Sequence, residues 1–152
     1  MGDYLRSKDD IKRNFTKVPD QLWQLYTRLP DFNAEHAMLY VIFLAFFNEE
    51  YGYSFPTIKD LELRTGWTDK TIKKRRDVLE KYDLIERVAR NHFGGNNRYY
   101  VKLPLDEPAF NAKYGGLLGD YKTREERLNE RAQSDKERLE SVKQAFDIDD
   151  LI

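Results

Sequence analysis

Cysteine is absent from this chain, and histidine occurs only twice. Without cysteine there can be no disulfide bond, thiolate zinc site or cysteine nucleophile, and such a composition fits a reducing compartment. The longest uncharged apolar run, residues 37–47, is too short for a bilayer, which needs about 20 residues. No secretory signal opens the sequence. We therefore expect a soluble cytoplasmic protein with no membrane partner.

Enzyme motifs are lacking as well. The sequence contains no P-loop, no glycine-rich nucleotide loop after a strand and no metal-ligand spacing. The two histidines have no partners that would activate a nucleophile. Tyrosine-based DNA nicking would need a metal site, usually built with histidines. The sequence therefore predicts a protein that is not an enzyme and that uses no cofactor or metal.

The stretch from Pro56 to Val101 has the layout of a winged helix-turn-helix. Thr57 is a favourable N-cap for a first helix, which Gly66 would end. Thr68 can then cap a second helix with apolar residues at helical spacing on its inward face. Two alternating segments follow, around a loop rich in glycine and asparagine, and predict a β-hairpin, the wing. The predicted fold class is mainly α with a small β-hairpin.

Positive charge is concentrated in this stretch. Residues 70–98 contain nine basic and four acidic side chains, a charge of +5, whereas the formal charge of the whole chain is −1. A protein that is nearly neutral overall can bind the dense phosphates of a duplex if its cations share one face. The charge pattern therefore favours double-stranded DNA as a partner.

Two groups of residues are candidates for DNA contacts. Residues near the start of the second helix of a helix-turn-helix meet base edges in the major groove, and here they are Thr68, Lys70, Thr71 and Lys74. Two further side chains are better placed for phosphates, namely Lys73 and Arg75. The wing offers a polar, cationic tip for the minor groove or backbone, with Arg90, Asn91, His92, Asn96, Asn97 and Arg98. Taken alone, that loop could equally be a soluble hairpin turn.

Arg76 breaks the apolar pattern of the second helix, since it occupies an inward position between Ile72 and Leu79. Its stem could cover the edge of the core while the guanidinium reaches Asp60 or a DNA phosphate. We favour the structural role. Upstream, Asn33 can cap a strongly apolar core helix, and we expect only a surface or capping role for His36 in its first turn.

The remaining segments have different compositions. Residues 104–152 contain eight basic and twelve acidic side chains, a charge of −4. The acidic and apolar end could dock into a basic, apolar groove of a protein partner, compete with DNA for the basic face, or be a disordered solubilising end. The predicted organisation is a flexible N-terminus (1–14), a winged helix-turn-helix domain (15–103), a linker or returning strand (104–121), a charged helix (122–146) and an acidic, apolar tail (147–152).

A family resemblance rests on four stretches, which are FTKVPDQLW, FNAEHAMLY, TDKTIKKRRDVLEKYDLIERV and GGNNRYYVKL. Together they resemble the N-terminal winged-helix domain of replication initiators from plasmids and phages of Gram-positive bacteria, and they are also similar to DnaD-like primosomal proteins. The resemblance covers residues 14–103. It implies a bacterial mobile-element protein that recognises repeated sites in an origin or control region, usually as a dimer.

Two hypotheses of different classes follow. The leading one is a site-specific double-stranded DNA-binding protein of a plasmid or phage that acts in replication initiation, with transcriptional repression and plasmid partition as open alternatives. The other is a protein-interaction adaptor that uses the winged helix together with the C-terminal helix and tail. The two hypotheses differ in whether the chain binds DNA through the basic residues of the second helix and the wing.

Overall fold

The computed structural model of the chain describes residues 2, 4–89 and 96–149. Within those residues the α-helices are α1 (Gln21–Gln24), α2 (Ala34–Ala45), α3 (Ile58–Thr65), α4 (Asp69–Lys81), α5 (Glu107–Tyr114) and α6 (Gly119–Asp149). The strands are β1 (Phe47–Asn48), β2 (Tyr53–Ser54), β3 (Ile85–Val88) and β4 (Arg98–Val101). This is a winged helix-turn-helix with a helical C-terminal extension, so the predicted fold class is confirmed.

The sheet is antiparallel and has the strand order β1-β2-β4-β3. Strands β3 and β4 form the predicted wing, and their register places Arg87 opposite Tyr99. Ser54 of β2 pairs with Tyr99, so the segment before Pro56 joins the sheet beside the wing. The two-residue strand β1 extends the sheet beyond β2.

Local capping fixes the helix-turn-helix. The Thr57 hydroxyl accepts a hydrogen bond from the Asp60 N–H at 3.0 Å, and the Asp60 carboxylate accepts one from the Thr57 N–H at 2.9 Å. These reciprocal bonds satisfy two donors at the start of α3. Gly66 ends α3 with a φ of 73°, a left-handed conformation that favours glycine. Thr68 then caps α4, as the sequence predicts.

Helix α2 is the centre of the core. Its buried side includes Leu39, Tyr40 and Phe43, and the Phe43 ring lies 4.4 Å from that of Tyr99 on β4. The strongly apolar composition of α2 predicts burial on all sides of the helix. Met38, however, is 53% exposed. His36 caps the helix, since its Nδ1 accepts a hydrogen bond from the Asn33 N–H at 3.0 Å.

Residues 104–121 differ from the predicted linker. Asp106 caps α5 by accepting a hydrogen bond from the Ala109 N–H at 3.0 Å. Phe110 is fully buried against the domain, and the hydroxyl of Tyr114 donates to the Tyr82 carbonyl at 3.0 Å. Pro104 precedes α5, Pro108 lies in its first turn, and Gly115 and Gly116 follow its last residue. Helices tolerate proline and glycine at these positions. The segment is therefore a helix packed on the core.

Helix α6 is 31 residues long. Every side chain from residue 122 to residue 146 is exposed, including Leu128, Leu139, Val142 and Phe146. Over these residues α6 is therefore exposed on all sides. None of the helices in the described ranges is long and apolar enough to cross a membrane.

A polar cluster ties the end of α4 to the segment before α2. Asp31 accepts hydrogen bonds from the Lys81 ammonium, at 2.7 Å, and from the Tyr82 hydroxyl. Burial would raise the pKa of Asp31, but these hydrogen bonds outweigh it and hold that pKa below its usual value. Burial and the Asp31 carboxylate raise the pKa of Tyr82 to about 12.

We predict that this cluster makes the free energy of unfolding depend on pH in the acid range. A carboxyl whose pKa is lowered by folding contributes stability above its unfolded pKa, about 3.9, and loses it as the pH falls through the folded value. Urea unfolding should therefore show that the stability difference between the native chain and Asp31→Asn shrinks as the pH falls below about 4. A difference that is constant from neutral to acid pH would contradict this role of Asp31.

Candidate nucleic-acid interface

Two threonines are hydrogen-bonded to each other at the start of α4. The Thr68 hydroxyl accepts a hydrogen bond from the Thr71 N–H at 3.4 Å and donates to the Thr71 hydroxyl at 3.1 Å. The first turn of α4 is thereby ordered at the surface. Its unpaired N–H groups and the positive end of the helix dipole favour a negatively charged group such as a phosphate.

Lys70 and Lys74 lie one turn apart on α4, on the side opposite its buried residues. Both side chains are exposed, and neither forms an ion pair within the part of the chain that the structure describes. Lys73, by contrast, lies 3.1 Å from the Asp69 carboxylate. Among the predicted lysines, Lys70 and Lys74 therefore offer the most accessible charge.

Arg75 is held by the ring of Trp67, a residue for which the sequence predicts no role. Its guanidinium lies 4.1 Å from the centre of the Trp67 ring, a cation–π contact. Trp67 is fixed in the turn between α3 and α4, where its backbone N–H donates to the Thr65 hydroxyl at 3.0 Å. The structure thus gives Arg75 a packing role beside the phosphate contact that the sequence predicts.

Arg76 is 5% exposed and faces the core edge. Its Nη1 donates to the Tyr99 hydroxyl at 3.2 Å, and its Nε lies 4.0 Å from the Glu80 carboxylate. The predicted structural position is confirmed, but the contacts are with Tyr99 and Glu80, not with Asp60. The guanidinium thus links α4 to the wing.

Replacing Arg76 by alanine is expected to lower the free energy of unfolding by about 1–3 kcal/mol, because the stem leaves a gap and the Tyr99 hydroxyl loses a donor. Arg76→Met keeps the volume of the stem and should recover part of that loss. Denaturant unfolding of both variants checks the prediction. Unchanged stability in Arg76→Ala would show that the buried guanidinium has no structural role.

The wing candidates fall into two groups. Arg90, Asn91 and His92 lie outside the described residues, whereas Asn96, Asn97 and Arg98 lie at the base of the wing. The Asn96 amide donates to the Phe55 carbonyl at 3.2 Å, and Asn97 donates to the Tyr99 hydroxyl at 3.5 Å. The Arg98 guanidinium lies 5.2 Å from the centre of the Tyr53 ring. These contacts attach the wing base to β2 and to the core.

A cationic cleft of about 480 Å³ separates α4 from the wing base. The cations that line it are Lys73, Arg76 and Arg87, and Asn96 and Asn97 lie among its polar lining residues. Arg87 reaches the cleft because its register opposite Tyr99 turns it inward, and its Nε is 3.0 Å from Glu80. Sequence alternation could have placed Arg87 there once the pairing of the wing strands was known.

Comparisons with known proteins bear on the fold. One solved structure, described as the N-terminal domain of a DNA-binding protein, superposes with a TM-score of 0.50 at 15% sequence identity. The match covers 79% of this chain and 98% of that one. No protein-family model matches the sequence, and no curated protein matches it. At this identity the likeness supports the shared fold.

Proposed function

We propose that this chain is a site-specific double-stranded DNA-binding protein. Helix α4 enters the major groove with Lys70 and Lys74 towards the bases, and the wing meets the minor groove or the backbone. The observation that carries the proposal is the pair of exposed, unpaired lysines beside a cleft lined by three further cations. We also propose that the chain binds DNA without catalysing a reaction on it.

The electrostatics of α4 suit a duplex. Lys70 and Lys74 lie in its first two turns, where a helix-turn-helix meets base edges. Asp77, the acidic residue that follows on the outer surface, lies further along the helix and so further from the bases. Lys73 and Arg87 of the cleft are exposed and can neutralise phosphates beside this contact. Base contacts by α4 and backbone contacts by the wing base are therefore compatible in one docking geometry.

For the biological process, we propose replication initiation of a plasmid or phage in the bacterial cytoplasm. This finer proposal is supported by the resemblance of residues 14–103, above all of the stretch FTKVPDQLW, to initiator domains. The structural neighbour is itself described as part of a DNA-binding protein. Transcriptional repression and plasmid partition use the same interface chemistry and stay as alternatives.

The proposal is tested by selection from a random-sequence duplex pool with the purified full chain, followed by sequencing of the retained DNA. We expect enrichment of a repeated motif at moderate salt. Finding that motif in an origin, a promoter or a partition site distinguishes the three processes. No enrichment would contradict site-specific DNA binding and would favour the adaptor hypothesis.

A further inference from the structure

An apolar groove runs along the outer side of α2, and its lining includes no residue of α4. It has a volume of about 470 Å³, and its lining includes Met38, Ile42, Ala45, Phe46, Trp67 and Arg64. Three of these residues, Met38, Ile42 and Ala45, recur at helical spacing and form one wall. The other wall is the end of α3 and the turn after it.

The groove is preformed and has a basic edge. Gly66 and the hydrogen bond from the Trp67 N–H to Thr65 fix the turn that presents the Trp67 ring. Arg64 lines the groove, and the Arg75 guanidinium covers the Trp67 ring. Met38, which is 53% exposed, has an adaptable side chain of a kind that is common at helix-binding surfaces. Such a site fits an apolar helix that carries negative charge.

Helix α6 carries a matching surface. Leu139, Val142 and Phe146 follow the i, i+3, i+7 spacing of helices that bind in grooves. Leu139 is 66% and Phe146 68% exposed, so nothing in the described part of the chain covers this apolar stripe. The stripe leads directly into residues 147–150, which include three aspartates and no basic residue. Apolar shape and acidic charge therefore occur together.

The groove and the stripe of one chain do not meet. Leu139 lies 20 residues into α6, about 30 Å from its start at 1.5 Å per residue. All side chains from residue 122 to residue 146 are exposed, so the helix extends away from its own domain. A second copy can present the stripe to the groove, and two such contacts are related by two-fold symmetry.

We propose that the groove between α2 and the α3–α4 turn binds the apolar stripe of α6 from a second copy of this chain. Phe146 and Leu139 pack against Met38 and Trp67, and the negative charge of residues 147–150 complements the positive charge of Arg64. The contact is reciprocal and does not use Lys70 or Lys74. Its test needs no DNA, so it can succeed or fail separately from the proposed DNA binding.

Sedimentation velocity of the full chain over a wide concentration range, without DNA, tests this proposal. We expect a reversible dimer whose dissociation constant rises at least about tenfold in Leu139→Ala/Phe146→Ala, because large apolar anchors contribute most of an interface's free energy. Met38→Glu, which places a negative charge in the groove, should have the same effect. Gln144→Ala is the matched control, since Gln144 lies on the opposite side of α6, and it should leave the dimer unchanged.

Two further measurements locate the contact. Trp23→Phe leaves Trp67 as the sole tryptophan of the chain, and its emission should shift with dimerisation. Mixing the Met38→Glu chain with the Leu139→Ala/Phe146→Ala chain retains one intact groove and one intact stripe, so a mixed dimer should form. A chain that stays monomeric, or a dimer that neither variant weakens, would overturn the proposal.

Discussion

Replacing Lys70 and Lys74 together by alanine is expected to weaken binding to the selected duplex about a hundredfold. A good contact to a base edge contributes about 1–3 kcal/mol, so about tenfold for each lysine is a conservative expectation. Both side chains are exposed and unpaired within the described residues, and their removal should leave stability unchanged. Fluorescence anisotropy with the selected duplex measures the loss, and circular dichroism verifies the fold.

A matched control separates local contact from overall charge. Lys136→Ala/Lys143→Ala removes the same two charges from α6, where both lysines are exposed and distant in sequence from α4. This variant should bind the duplex nearly as the native chain does. Equal losses in the two double variants would mean that net charge, not the surface of α4, determines affinity.

Phe110→Ala is expected to lower the free energy of unfolding by about 3–5 kcal/mol, because it removes a fully buried ring and leaves a cavity. The Phe110 ring lies 5.1 Å from that of Tyr26 and 5.4 Å from that of Tyr114. Urea unfolding followed by circular dichroism measures the effect. A loss of that size would show that α5 belongs to the core of the domain.

Leu117→Ala is the control for this prediction, since Leu117 is in the same segment but exposed. Its effect should stay within about 0.5 kcal/mol. If Phe110→Ala were equally mild, residues 104–121 would behave as a linker and the packing of α5 would contribute little to stability.

The parts of the fold that local chemistry determines could be predicted from the sequence. Thr57, Gly66 and Thr68 carry capping and turn signals that act over three or four residues, and the structure uses each of them. The β-hairpin of the wing was predicted from two alternating segments around a loop rich in glycine and asparagine, and β3 and β4 form it. The inward position of Arg76 followed from helical periodicity.

Features that depend on tertiary contacts could not be predicted. Strand β1 has two residues, too few for an alternating pattern. Helix α5 was not predicted because its segment contains prolines and glycines, although these residues lie at positions that suit the ends of a helix. The roles of Trp67 and Arg87 became visible only when the turn beside Arg75 and the register of β3 were known. The partner of a long-range contact is not encoded in local spacing.

The salt dependence of duplex binding tests DNA recognition by α4 and the wing most directly. Each neutralised phosphate contributes about −0.9 to the slope of log affinity against log salt, so we predict roughly −4 to −6 per protomer. Lys73→Ala/Arg87→Ala, which removes two cations of the cleft, should make the slope shallower by up to about 1.8. A slope near zero, or one that this variant leaves unchanged, would contradict the proposed interface.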